Sequence, residues 1–401
     1  MTAAQILGLA GILLIIGFLA DYLFRKTSIP DVLILITLGY LIEPVLYIVD
    51  PSDLAPASQI IATLSLVVIL FHGGLDLDIT TILSSAHRAT ILVFLGIAIS
   101  MAATAAFVYY LLDWGLLHSL LLGAIVGGTS PSIVMPLISR ARVTDEVSSV
   151  LSLESALNGA LVIIIALVIL QIMTTGTEGN LLSMAGKAIG IQFCLGAAVG
   201  TATGIIWLWL LTRLKGQDYD DILTLAVVFV LYFIVESMNG SGVIFALVFG
   251  LVLGNGIRIP KLFTIRRTVA ATEIMKKFHS QISFFIKTFF FIYLGLIMTF
   301  NEPRLIILSL ILSLLLLFVR YLVVLISSLG NRTLLANKGL LTTMFPRGLS
   351  AAVLAQIVVT SGIPDASIYP DIIIPIILIT VMISAIGIPV FARRAQRKEP
   401  Q

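Results

Sequence analysis

This 401-residue chain has one cysteine, Cys194, only four histidines and three tryptophans. A lone thiol excludes an internal disulfide and any cysteine-based metal cluster, and it leaves the redox compartment undetermined. The histidines are scattered without metal-ligand spacing, the serines have no His/Asp companions at comparable depth, and no phosphate-cradling loop is present, so neither a hydrolase triad nor a nucleotide site has support. Charge is scarce too, at 11% of residues, against roughly a quarter in soluble domains. The net charge of 24 − 21 = +3 is too small to suggest a nucleic-acid partner. What fills the chain instead is apolar: 59% of residues are hydrophobic and the mean hydropathy is +1.12. An excess spread so evenly rules out a soluble domain on one anchor and puts most of the protein in a lipid bilayer.

Breaks at charged, Pro-rich and Gly-rich segments divide the sequence into about thirteen apolar stretches: 5–24, 30–48, 57–73, 89–112, 117–139, 150–173, 185–212, 221–237, 241–256, 281–300, 304–329, 338–360 and 371–392. Each is near the ~20 residues that cross a hydrocarbon core as a helix. The weakest division is between 221–237 and 241–256, where Asn239-Gly240-Ser241-Gly242 is the only interruption. The first stretch has no basic residue before it and Arg25-Lys26 after it, which reads as a span and not as a cleavable leader. With thirteen spans, 19 of the 24 Lys and Arg fall on one side and two, Lys187 and Arg304, on the other. Cytoplasmic loops keep the positive excess, so the N-terminus is expected outside and the C-terminus inside, with no regulatory domain after Lys398.

The other three cations, Lys287, Arg320 and Arg347, lie within spans. A cation near a helix centre costs roughly 2.5–3.5 kcal/mol on insertion scales, so it needs a partner, a wet cavity or a route to the interface. Arg320, near the cytoplasmic end of its helix, is expected to snorkel. Lys287 is open to either account. Arg347, between Pro346 and Gly348, is expected to be functional.

Two stretches carry helix breaks: Gly127-Gly128-Thr129-Ser130-Pro131-Ser132 and Thr342-Thr343-Met344-Phe345-Pro346-Arg347-Gly348. Proline removes a backbone donor and glycine lowers the cost of unwinding, and the freed backbone groups need polar partners. Within a membrane such breaks suit a central cavity, and two separate proline kinks are the plainer alternative. They fall in the fifth and twelfth spans, an odd offset that reverses direction, as expected of two units repeated with inverted topology. The sixth span supplies an acid, in Leu153-Glu154-Ser155-Ala156-Leu157-Asn158-Gly159. Glu154 and Asn158 share a helix face, and a buried carboxylate needs a partner, for which Arg347 is the expected candidate. Ser155 and Gly159 are also explained as a small stripe for close helix packing. Glu236 reads as interfacial or as part of an ion path, and His72, before Gly73-Gly74, as a structural helix-end residue.

These tracts, with Gly73-Gly74-Leu75-Asp76-Leu77-Asp78, Gly250 to Asn255 and Arg347-Gly348-Leu349-Ser350, resemble the monovalent cation/proton antiporter family over nearly the whole chain. The closest likeness is to its prokaryotic NhaP-like sodium/proton branch. The resemblance implies an all-α polytopic NhaA-like fold of inverted repeats, with two broken helices crossing at mid-membrane. It also implies a homodimer in the plasma membrane, with alternating access and no cofactor beyond the transported Na⁺ (or Li⁺ or K⁺) and H⁺. A dimerisation part at about 1–56 and 185–280 would flank a six-helix core at about 57–184 and 281–392, all within one membrane domain spanning 1–400. By position, Thr129 and Ser155 match oxygen donors to the cation, Glu154 and Asn158 the acid and amide beside it, Arg347 the arginine that ties the acid to the second break, and Lys287 a basic residue of the tenth span.

Two positions depart from the family pattern. Ser130 stands where many members have Asp. Gly159 stands where the family has its ion- and proton-binding aspartate, and glycine can neither hold a proton nor offer a carboxylate oxygen to a hard cation. Three readings follow: an impaired Asp-to-Gly variant of an antiporter, a divergent member working through Glu154 or another route, or a channel-like or non-transporting protein that keeps the fold.

Overall fold

The computed structural model describes all residues except 1–2, 28, 43–54, 78, 142, 176–180, 215–219, 257–272, 299–301 and 397–401. The described residues contain helices and no strand: α1 (Ala3–Thr27), α2 (Asp31–Tyr40), α3 (Ala55–Asp76), α4 (Ile79–Leu112), α5 (Leu116–Gly127), α6 (Pro131–Ala141), α7 (Asp145–Thr175), α8 (Leu181–Leu214), α9 (Asp220–Ser237), α10 (Gly242–Gly254), α11 (Glu273–Leu296), α12 (Pro303–Ser327), α13 (Arg332–Ala336), α14 (Lys338–Thr343), α15 (Leu349–Thr360) and α16 (Ile368–Gln396). Among the described residues each apolar stretch expected from the sequence holds a helix or a pair of half-helices; residues 43–48 of the second stretch and 299–300 of the tenth lie outside them. Six described segments are long and apolar enough to span a membrane by length and composition, and five shorter apolar helices accompany them.

The doubtful division before α10 is a capped turn. Asn239 adopts a left-handed φ of 57°, the Ser241 hydroxyl accepts from the Ile244 N–H at 3.3 Å, and Glu236 accepts from the Gly242 N–H at 2.7 Å. Glu236 therefore caps a helix start, where a carboxylate satisfies orphan donors and meets the positive dipole end.

Most helix contacts fall into two groups, joined by the packing of α3 on α15 and of α7 on α8. In the first, α4 lies on α5, α7 and α12, while α16 lies on α12, α14 and α15. The second joins α2, α3, α8, α10 and α11, with α3 against α10 and α11, and α2 against α11. The second group packs closely. The reason is a set of glycine faces that let backbones touch. A side chain at Gly74 would strike the Leu247 carbonyl and one at Gly250 the Phe71 carbonyl, between α3 and α10. Gly39 and Gly295 do the same for α2 and α11. Lipid gives apolar helices no hydrophobic reason to associate, so such close approaches carry much of the packing.

Candidate functional site

Both breaks form where the sequence places them. α5 ends at Gly127, residues 128–130 are not helical, and Pro131 begins α6; α14 ends at Thr343 and α15 begins at Leu349. The two unwound segments cross and bond directly, the Ser130 N–H donating to the Pro346 carbonyl at 2.9 Å. The approach is so close that a Cβ on Gly348 would lie 2.5 Å from the Ser130 hydroxyl. The Ser130 and Ser132 hydroxyls share a hydrogen bond of 3.0 Å.

α7 passes beside this crossing with Glu154 fully buried. Oε1 of Glu154 accepts from the Thr129 hydroxyl at 3.0 Å and from the Asn158 amide at 2.9 Å, and that amide also donates to the Thr129 hydroxyl at 3.2 Å. Thus the expected grouping of Thr129, Glu154 and Asn158 is present. Ser155 is buried but turns back on its own helix, donating to the Ser152 carbonyl at 3.1 Å.

The partner of Glu154 is Arg320, and the expected pairing with Arg347 is corrected. The Arg320 guanidinium grips Glu154 with both forks, Nη1 to Oε1 and Nη2 to Oε2, each at 3.1 Å. Its Nε donates to the Leu341 carbonyl and Nη2 also to the Met344 carbonyl, both at 3.1 Å. Arg320 therefore does not snorkel; only 5% of it is exposed. The planar fork serves a bidentate carboxylate and two carbonyls together, which a lysine could not do.

Arg347 performs the matching task at the other break. Its Nη1 donates to the Gly127 carbonyl at 3.0 Å, and its backbone N–H is taken by the Thr380 hydroxyl of α16 at 3.0 Å. Each arginine thus sits at the C-terminal end of one half-helix, Arg347 on α5 and Arg320 on α14. Orphan carbonyls and the negative dipole end both favour a cation there. This gives the two intramembrane arginines a structural purpose.

Gly159 faces the crossing. A Cβ there would lie 3.3 Å from the Ser350 hydroxyl, 3.4 Å from Pro131 Cδ and 3.7 Å from the Thr129 carbonyl oxygen. Nearby, Asn158 Oδ1 is buried without a hydrogen-bond partner, as is Arg347 Nε. Position 159 therefore looks onto neutral oxygens at the meeting of two half-helix N-termini. An acidic side chain there would be received by hydroxyl and positive dipole ends.

A cavity of about 510 Å³ reaches the crossing at Pro131 and Ser132, bordered by Asp21, His72, Asp76 and Lys287. Lys287 lies neither in lipid nor alone: its ammonium bonds the Asp31 carboxylate at the start of α2. Asp31 is the residue that sequence reasoning missed here, because an acid following Pro30 reads as an ordinary helix-start residue. Arg320 was misread for a related cause, since seven residues from the end of α12 is within reach of an interface.

Two crossed, interrupted helices with a buried carboxylate clamp and a cavity leading to them are the arrangement of polytopic membrane transporters with discontinuous helices. The sodium/hydrogen exchanger transmembrane family model matches residues 11–394, and the chain belongs to that family. A probable Na⁺/H⁺ antiporter 2 of Methanocaldococcus jannaschii is 26% identical over 74% of this chain and 70% of its own length. The K⁺/H⁺ antiporter NhaP of Alkalimonas amylolytica is 23% identical over 98% of this chain and 67% of its own. The solved sodium proton antiporter MjNhaP1 of M. jannaschii at pH 8 superposes with a TM-score of 0.80 at 22% identity, covering 99% of this chain and 98% of that one, and so shares the fold.

Proposed function

We propose that this multi-pass membrane protein exchanges a monovalent cation for H⁺ by alternating access, slowly because position 159 carries no carboxylate. The observation that carries the reading is the crossing itself. Thr129, Glu154 and Asn158 form one buried hydrogen-bonded unit against two broken half-helices, an arrangement that serves an ion and that a lipid-facing helix has no use for. Relatives described as Na⁺/H⁺ and as K⁺/H⁺ antiporters support both cations; Na⁺ is our first choice and Li⁺ a third candidate. The protein works as a homodimer in the plasma membrane, N-terminus outside, through a surface within 1–56 and 185–280, and takes no cofactor.

Glu154 is a clamp in this reading. Arg320 saturates both oxygens, and Thr129 and Asn158 add two donors, so protonating or metallating it would break several charge-assisted bonds at once. The free positions for a cation are then the Thr129 carbonyl, the Ser350 hydroxyl and the Asn158 amide oxygen around Gly159, with Ser130 and Ser155 on the flanks. Neutral oxygens bind a hard cation but release no proton in return.

Proteoliposomes test this. With an imposed pH gradient, Gly159→Asp is expected to give cation-driven collapse at least tenfold faster than the present sequence. Equal rates for the two would overturn the role given to position 159. The absence of a carboxylate also favours a channel-like or non-transporting second reading, and currents that flow without a proton gradient would establish it.

A further inference from the structure

Four buried side-chain atoms without a hydrogen-bond partner lie on the seam between α3 and α11: His72 Nδ1, both ring nitrogens of His279 and the Ser283 hydroxyl. Such atoms are paired in nearly all native proteins, if not by the chain then by water or an ion. His279 is fully buried, and its ring meets only the rings of Phe71 and Phe278, edge to face, with centroids 4.9 and 5.3 Å away. The two imidazoles are within electrostatic range of each other, and Ser283 follows His279 by one turn of α11. They come from distant parts of the chain, so no ligand spacing shows in the sequence. His72 and Ser283 both line the cavity, which gives the seam an entry. His72 is also oriented. Its Nε2 lies 3.6 Å from the Asp76 carboxylate one turn further on, and a neutral imidazole keeps its proton on the nitrogen that faces a carboxylate, which leaves the Nδ1 lone pair free. An imidazole steadied by a carboxylate on its other nitrogen is the usual form of a metal-ligating histidine.

We propose that His72 and His279 bind a divalent transition-metal ion such as Zn²⁺, held by one nitrogen of each ring with Ser283 and water completing its shell, and that the bound ion slows transport. Imidazole suits Zn²⁺, Cu²⁺ and Ni²⁺, whereas Mg²⁺ and Ca²⁺ prefer oxygen. Among the described residues no three His, Cys, Asp or Glu side chains converge on one point. Two protein nitrogens are fewer than the three or four ligands of a resident zinc, so the ion comes and goes, as a regulator and not as a cofactor. The charges around the seam are Asp76 on α3, Asp21 on α1, and Lys276 and Lys287 on α11, the last paired with Asp31. The Asp76 and Asp21 carboxylates offset Lys276 as the ion enters. Once bound, the ion ties α3 to α11 and puts a double positive charge on the wall of the approach, which opposes entry of a monovalent cation.

The site stands by itself, and only the slowing rests on reading the chain as a cation/proton antiporter. Full-length protein purified without a histidine tag, in a His87→Gln, His118→Gln and Cys194→Ser background, is dialysed in detergent against ZnCl₂, with MgCl₂ as the control. One Zn²⁺ per chain is expected to bind and to raise the melting temperature, and Mg²⁺ to do neither. His279→Phe, which replaces an unpaired buried imidazole among aromatic rings, is expected to melt no lower than the metal-free parent and to lose the zinc. His72→Asn is expected to lose it as well, and Asp76→Asn to weaken its binding roughly 10–100-fold. No zinc on the parent, the result if water alone fills the seam, overturns the site, and so does undiminished zinc on His279→Phe or His72→Asn. In proteoliposomes, zinc supplied on the side the cavity faces is expected to slow cation-driven pH collapse by the parent severalfold and to leave His279→Phe unaffected. Zinc that binds through both histidines without slowing collapse, or that slows both proteins equally, overturns the regulation and leaves the site. No collapse by the parent, with or without zinc, refutes the antiporter reading and the slowing together, while the site stands on the dialysis.

Discussion

The carboxylate of Glu154 and the guanidinium of Arg320 are both buried, and each is fully used. Removing one of two such partners strands the other, at a cost of roughly 3–5 kcal/mol, whereas an exposed pair would cost almost nothing. Arg320→Ala is therefore expected to lower the melting temperature in detergent sharply, and Arg320→Lys to recover little of it, because an ammonium cannot serve Glu154, Leu341 and Met344 together. Arg347→Ala removes a bond to one carbonyl, Gly127, and is expected to cost less than Arg320→Ala. A larger loss for Arg347 in side-by-side melts would reverse the assignment of partners. Thr380→Val is expected to cost roughly 1–3 kcal/mol, because the buried Arg347 N–H would lose its acceptor.

At the level of helices, the two breaks are predictable because proline and paired glycines act on their own backbone. What they bond to is another matter. The Ser130 N–H finds Pro346, some two hundred residues away, and nothing in either tract names the other. The helix contacts obey a similar logic. Gly73 and Gly74 are adjacent and identical as letters, yet a Cβ on Gly73 meets nothing within 4 Å while one on Gly74 strikes the Leu247 carbonyl. Gly74→Ala is expected to destabilise by about 1–3 kcal/mol through overpacking of α3 on α10, and Gly73→Ala to be neutral or slightly stabilising. Thermal melts of the two variants check this, and equal behaviour would count against the close approach of α3 and α10.

For the whole molecule, the cavity joins the end where α3 stops and the first half of α11 to the crossing, and it lies on the side that collects the positive loops. The assembly in this state is thus open toward the side expected to be cytoplasmic. In a Cys194→Ser background, Ser132→Cys is expected to react with a membrane-impermeant thiol reagent from the cytoplasmic face and to be protected from the other. Modification from the outer face alone would invert either the orientation or the state. The exposed Cys194 has to be removed first, since it would otherwise report its own surface.

Hydropathy, charge placement and helix-breaking residues are local properties of the chain. They sufficed for an all-helical membrane protein, for the position of nearly every helix, for both interruptions and for the shared face of Glu154 and Asn158, whereas the place of Thr129 beside them came from the family resemblance. Partner choice is not local. That Glu154 takes Arg320, that Lys287 takes Asp31 and that Arg347 caps α5 depend on which helices cross at which depth. That α3 and α11 join α2 and α10 depends on which glycine faces another backbone. A charge buried in lipid must be satisfied, so the sequence announced that each of these residues had a partner; only the tertiary packing, by setting distances of about three ångströms between residues far apart in the chain, decided which.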